Sequence, residues 1–265
     1  MNKRNAAISL IVVLTFLLSY YGNRLKSRYF DLNIENIYLR VAYVYSWWLI
    51  PTFLATALLF SPSNVFTALG LNRNPTKALV FAAITVSPML ISSALAGKIP
   101  PDLTAFRLVQ ASLLAGFMEE LLFRGFLFGL LFRFCGWGFI PSSLAGALVF
   151  GLGHIYQGSS LPESAGVFLV TAMGAVWFAW LYIECENNLW VPIFLHILMN
   201  LSWTLFDMSG NALGGLFANL FRIITITLTI ILTLRAAKQS GLKINRKSLL
   251  WNRSGEQMND VRDNQ

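Results

Sequence analysis

Residues 108–132 read LVQASLLAGFMEELLFRGFLFGLLF, a run long and apolar enough to cross a bilayer, yet Glu119, Glu120 and Arg124 stand at its middle. Insertion scales put a charge at the centre of a spanning helix at about 2.5–3.5 kcal/mol, so three unpaired charges would cost roughly 8–10 kcal/mol. Helical geometry offsets part of that. Glu120 and Arg124 are four apart with the acid N-terminal to the base, the favoured orientation for a pair on one helix face. Glu119 is rotated about 100° away and has no such local partner. The stretch therefore predicts one neutralised pair and one spare carboxylate inside a membrane helix.

The rest of the chain agrees with a membrane setting. Of its 265 residues, 56% are hydrophobic and only 12% are charged, with a mean hydropathy of +0.60. Soluble domains carry about 25% charged residues, so the composition is that of an integral membrane protein. Repeated apolar runs without alternation indicate helices rather than a barrel. The expected fold class is all-α, a polytopic membrane helical bundle of about eight spans. A net charge of +8 raises the question of nucleic acid. The basic residues, however, lie at the ends of apolar runs and in the C-terminal stretch, as topology signals do, so nucleic-acid binding is set aside. Cys135 and Cys185 are far apart, and no CxxC or Cys/His cluster occurs, so neither a disulfide framework nor a structural zinc site is indicated. The N-terminal MNKRN with its apolar run resembles a signal peptide, but SYYGN lacks the small-residue cleavage pattern, which favours a retained helix.

Eight apolar segments are expected, at about 6–21, 37–60, 78–96, from soon after Pro101 to 134, 142–156, 164–183, 189–206, and one ending near 234. Pro51 and Pro88 mark expected kinks. Arg222 lies inside the last apolar stretch and predicts that its helix starts later than hydropathy suggests. Beyond Arg235 the chain turns polar and basic, with Lys238, Lys243, Arg246, Lys247 and Arg253, and the positive-inside rule makes this tail cytoplasmic. With eight spans the N-terminus is cytoplasmic too, giving a multi-pass cell-membrane protein. The first loop, with Arg24, Lys26 and Arg28, runs against that orientation. The tail after Gly255 is expected to be disordered, Glu163, Glu184 and Glu186 to be solvated loop acids, and Tyr156, Trp190 and Trp203 to be interfacial belt residues.

The chain has two histidines, and both fall in expected spans. His154 ends FGLGH, one turn after Phe150, and His196 begins HILMN, one turn before Asn200. Polar groups at membrane depth face the bundle interior or a watery cavity, so the economical arrangement brings Glu119, Glu120, Arg124, His154, His196 and Asn200 together. Taken singly, each has a plain reading: Glu120–Arg124 as a structural pair, His154 or Asn200 as a hydrogen bond between helices. Together they suit hydrolysis, with a carboxylate and an imidazole to polarise water, and a His–Asn pair to hold an oxyanion. GxSxG and HExxH are absent. Two histidines and a glutamate, here Glu119, His154 and His196, could still form a distributed zinc site.

Glu119-Glu120-Leu121-Leu122-Phe123-Arg124, Phe150-Gly151-Leu152-Gly153-His154 and His196-Ile197-Leu198-Met199-Asn200 occur in this order. They resemble the EExxxR, FxxxH and HxxxN motifs of the CAAX protease and bacteriocin-processing (CPBP, or Abi) family of intramembrane proteases. The likeness covers about residues 101–206 and divides the chain into N-terminal spans (1–100), a catalytic membrane core (101–235) and a basic tail (236–265). It implies a glutamate-dependent endopeptidase. Glu119 and His154 would activate the water, His196 and Asn200 would hold the oxyanion, and Glu120, Arg124 and Phe150 would orient the site. No cofactor is expected, since no compact metal motif exists, although such proteins have been described as metalloproteases. The implied partners are the lipid bilayer and a protein or peptide substrate, lipidated or bacteriocin-like. Two other readings stand beside this one: a non-catalytic immunity or scaffold protein of the same fold, and a proton-coupled transporter using Glu119 and the histidines as a relay.

Overall fold

The computed structural model describes residues 3–29 and 33–252, which form nine helices. The expectations for the side chains of Arg24, Lys26 and Arg28, and for the tail from Arg253 onward, fall outside the described residues.

Helices begin where the local chemistry starts them. In α2 (Ile37–Phe60), Asn36 Oδ1 accepts the backbone N–H groups of Tyr38 and Leu39 at 2.9 and 3.2 Å. In α4 (Pro75–Ala96), Asn74 caps Lys77 N at 3.0 Å and a proline occupies the first helical position, where its missing N–H costs nothing. Both α2 and α4 continue through their internal prolines, Pro51 and Pro88. The remaining helices outside the polar stretch are α1 (Lys3–Tyr29), short α3 (Val65–Leu69), α6 (Phe139–His154), α7 (Leu161–Glu184), α8 (Trp190–Leu205) and α9 (Leu216–Ser240).

The polar stretch forms α5, a continuous helical run over residues 105–134 that alternates in type. It is α-helical at Ala105–Leu108, Ala115–Glu120 and Gly129–Phe134, and π-helical at Val109–Leu114 and Leu121–Phe128. Every residue from 121 to 135 is buried. Around it pack Val12 and Phe16 of α1, Phe60 of α2, Leu69 of α3, Phe150 of α6, Tyr182 of α7 and Ile193 of α8. This enclosure answers the charge problem. The part of α5 carrying Arg124 is sheathed by other helices, so its charges meet protein rather than lipid.

Among the described residues six helices are long and apolar enough to cross a membrane, where about eight spans were expected. The difference lies in the two helices that carry most of the polar cluster. At about 1.5 Å per residue, the 16 residues of α8 extend only about 24 Å, short of a hydrocarbon core of about 30 Å. In α5 the charges and the π-helical turns break up the apolar run. The short α8 is compensated by burial against α4 and α5.

Two further expectations change. Helix α9 starts at Leu216 and carries Arg222 within it, because that guanidinium turns back to Ala212 O at 2.8 Å and lies 4.5 Å above the Trp203 ring. Of the three acids expected in loops, Glu163 and Glu184 lie in the first and last turns of α7, Glu186 follows it, and all three are bound rather than merely solvated. Glu184 accepts the backbone N–H groups of Lys243 and Ile244 at 2.9 and 3.0 Å, Glu186 pairs with Lys243 at 3.0 Å, and Glu163 bonds Ser159 and Asn211. Helix α9 runs on to Ser240. The segment after α9 folds back over the start of α6, where Gly138 N, Phe139 N and Ile140 N donate to Leu250 O, Ser248 O and Leu249 O at 2.8–3.1 Å.

Candidate active site

Glu119, Glu120 and Arg124 come from α5, Phe150 and His154 from α6, and His196 and Asn200 from α8. These three helices meet on the inner side of the bundle. Gly116 sets the spacing between α5 and α8: a Cβ there would lie 2.7 Å from Ile197 Cγ1 and 2.9 Å from Ile197 N. Glycine thus lets the α8 backbone approach close enough for the neighbouring His196 to reach both glutamates.

The adjacent carboxylates have different surroundings. Glu120 is fully buried, with Oε1 at 3.1 Å from Arg124 Nη1 and 2.7 Å from His196 Nδ1. Arg124 is buried as well, and its guanidinium lies 4.7 Å from the centre of the Phe150 ring and 5.5 Å from that of Phe178. Aromatic faces on a buried cation supply attraction that lipid would not. Phe178 of α7 also lies 5.7 Å from the His196 ring. Its sequence position carries no mark of this role, since an apolar residue in an apolar helix looks like any other. Glu119 keeps 20% of its side-chain surface exposed and approaches His196, with Oε2 at 3.7 Å from Nε2.

The ring nitrogens are assigned by their partners. His196 Nδ1 faces a carboxylate, which can only accept, so Nδ1 carries the proton and Nε2 carries one only when the ring is doubly protonated. His154, the last residue of α6, places Nδ1 at 2.7 Å from Phe150 O, again an acceptor. In the neutral ring its Nε2 is then a free base. Glu119 and His154 line one cavity of about 240 Å³, together with aromatic residues that include Phe123, Phe150 and Tyr156. Two acceptors on one small polar cavity form an arrangement that can take both protons of a water molecule.

Asn200 also links two helices. Its Nδ2 donates to Ala111 O at 3.0 Å, tying α8 to the first π-helical segment of α5 and leaving one N–H of the amide for another acceptor. Among the described residues no three His, Cys, Asp or Glu side chains converge into a metal-holding group, and Glu119, His154 and His196 do not form one.

With this geometry in place, comparison with known proteins is informative. The family model described as type II CAAX prenyl endopeptidase Rce1-like matches residues 101–202, a segment that contains all seven side chains above. A Bacillus subtilis (strain 168) protein named "Putative membrane peptidase YdiL" is 32% identical over 93 residues. Residues 101–202 are thus similar to the CPBP family of membrane peptidases. The match to the Bacillus protein covers 35% of this chain and 34% of that one, so it spans about a third of each. No solved structure matches. Helices α1 to α4, α9 and the returning tail lie outside the segment matched to the CPBP family, although α1 and α2 pack directly against α5.

Proposed function

We propose that this chain is an intramembrane endopeptidase that cleaves membrane-associated protein or peptide substrates, using a water molecule activated by Glu119. The observation that carries this reading is the contrast between the two glutamates. Glu120 is committed to Arg124 and His196, while Glu119 is partly exposed on the wall of the cavity it shares with His154. A water between them donates one O–H to the Glu119 carboxylate and the other to His154 Nε2, which turns an oxygen lone pair toward the scissile carbonyl. As the C–O bond forms, the water proton moves to Glu119. It then passes to the departing amine as the C–N bond breaks. The second imidazole, His196, stabilises the oxyanion through Nε2–H when doubly protonated. The spare N–H of Asn200 lies one turn further along α8. Glu120, Arg124 and Phe150 position these groups without touching substrate.

The resemblance to a peptidase family over residues 101–202 supports the reaction class. Among the described residues no three His, Cys, Asp or Glu side chains converge, so no step of this proposal is routed through a metal. The test is peptide cleavage by the purified full chain in liposomes. Activity should survive exhaustive chelation and disappear in Glu119→Ala and His154→Ala. Wild-type rates in either variant would refute the mechanism.

A further inference from the structure

The cavity that holds Glu119 and His154 is closed by residues that belong to none of the three motifs. Tyr20 comes from α1, Val44 and Trp48 from α2, and Tyr156 from the turn after α6. Tyr20, Val44 and Trp48 lie outside the segment matched to the family, and Tyr156 lies within it. This wall is a built surface rather than a chance gap. The Tyr20 ring stacks on Phe16 at 5.9 Å, meets Phe123 edge-on at 5.4 Å and lies 5.7 Å from the Trp48 ring. Trp48 is held in turn by Tyr45, edge-on at 5.7 Å. Gly153, next to His154, fixes the last coordinate, because a Cβ at that position would collide with the Tyr20 hydroxyl oxygen. Tyr20 therefore lies directly against the backbone that carries one of the two water-binding groups.

We propose that Tyr20 and Trp48 are specificity-determining residues, forming the subsite for a large apolar side chain of the substrate beside the bond addressed by Glu119 and His154. This rests on the peptidase reading of the same site. The lining decides the chemistry. Apart from Glu119 and His154 it is made of aromatic rings, Val44 and Gly153. An acidic side chain would meet the Glu119 carboxylate, and a basic one would neutralise it and stop it acting as a base. The Arg124 charge is presented to the Phe150 ring at 4.7 Å rather than to an incoming ligand. A cavity of about 240 Å³ admits one such side chain and a water, not a folded segment.

The test uses the full chain in phosphatidylethanolamine–phosphatidylglycerol liposomes and a proteome-derived peptide library, with cleaved bonds mapped by mass spectrometry. Wild type should cleave in a Glu119-dependent way, with large apolar residues enriched at one position flanking the cut. Apolar pockets discriminate by about 10- to 200-fold per methylene, so Trp48→Ala should shift the preference at that position toward larger side chains by about tenfold in relative kcat/KM. Trp48→Phe should move it less, in the same direction, and serves if the alanine variant does not fold. Gly153→Ala pushes the Tyr20 hydroxyl into the cavity and should move the preference toward smaller side chains. Glu119-dependent cleavage with the same flanking preference in every variant would overturn the subsite and leave the peptidase reading standing. Absence of Glu119-dependent cleavage would overturn both.

Discussion

Nδ1 of His196 lies 2.7 Å from Oε1 of Glu120, a residue 76 positions earlier in the chain. That contact, together with the 3.1 Å pair between Glu120 and Arg124, makes Glu120 the fixed point of the site. It joins α8 to α5 at the depth of the buried cation. It also determines which nitrogen of His196 is directed at Glu119. The site is therefore organised by the glutamate that does not line the cavity.

Removing this fixed point should unfold more than it inactivates. In Glu120→Ala the Arg124 guanidinium remains buried without its carboxylate, a change that typically costs about 3–5 kcal/mol. Thermal denaturation in detergent should show a large loss of stability for Glu120→Ala and for Arg124→Ala. A stability close to wild type in both variants would mean that the pair contributes little.

Glu119→Gln should behave in the opposite way. Among the described residues the ion pair of Glu119 is the 3.7 Å contact with His196, and part of its side chain already faces open space. The substitution should leave the melting temperature nearly unchanged. Activity should fall by about 10²- to 10⁴-fold, the range associated with a positioned general base. Glutamine-variant activity within about twofold of wild type would move the catalytic role elsewhere.

The pairing of Glu120 with Arg124 was legible because four residues of helix bring the two groups together, and π-helical turns beginning at Leu121 preserve that contact. The meeting of α5, α6 and α8 was legible because buried polar groups need partners and few were on offer. What the sequence did not disclose depends on register between helices. Nothing local to Glu120 announces His196, nothing in Gly116 announces Ile197, and the aromatic residues Tyr20 and Trp48 look like ordinary membrane residues until α1 and α2 pack onto α5. Likewise, Arg222 looks like a helix boundary until Trp203 and Ala212 O are brought beside it.

Gly116→Ala tests the close approach of α8. The added methyl must displace the Ile197 backbone, an overpacking that typically costs about 1–3 kcal/mol. Because His196 adjoins Ile197, the displacement also moves an imidazole at the site, and a misplacement of about 1 Å can cost about 10² in rate. The expected result is a modest fall in melting temperature with a disproportionate loss of cleavage. Equal, small effects on both would show that the approach matters for packing alone.

The two cysteines report on the ends of the bundle. Burial pushes the Cys135 and Cys185 thiols up to about 11, so at neutral pH both are protonated and poorly nucleophilic. Stability linked to them is present below the ordinary thiol value of 9.0 and erodes as pH rises through it, because the unfolded chain ionises first. Iodoacetamide at pH 7.5 should label neither residue in the folded protein and both in denaturant. Rapid labelling of the native protein would show that these ends are open.

Glu184→Ala tests whether the returning C-terminal segment belongs to the folded body. The Glu184 carboxylate accepts two consecutive backbone N–H groups, from Lys243 and Ile244, at the point where the chain leaves α9 and turns back. Hydrogen bonds to a charged acceptor contribute about 1.5–3 kcal/mol, and here they hold the turn that delivers residues 248–250 to the start of α6. Without them that segment retains the bonds at Gly138, Phe139 and Ile140 and the Asn252 bond to Phe132 O at 2.9 Å, so it should loosen rather than detach. Hydrogen exchange of residues 243–250 should accelerate by about tenfold or more, the change that a loss of about 1.4 kcal/mol produces. The region around Glu119 should keep its protection, because Glu184 and Glu119 share no contact. Unchanged exchange at 243–250 would show that the segment is held by its α6 contacts alone.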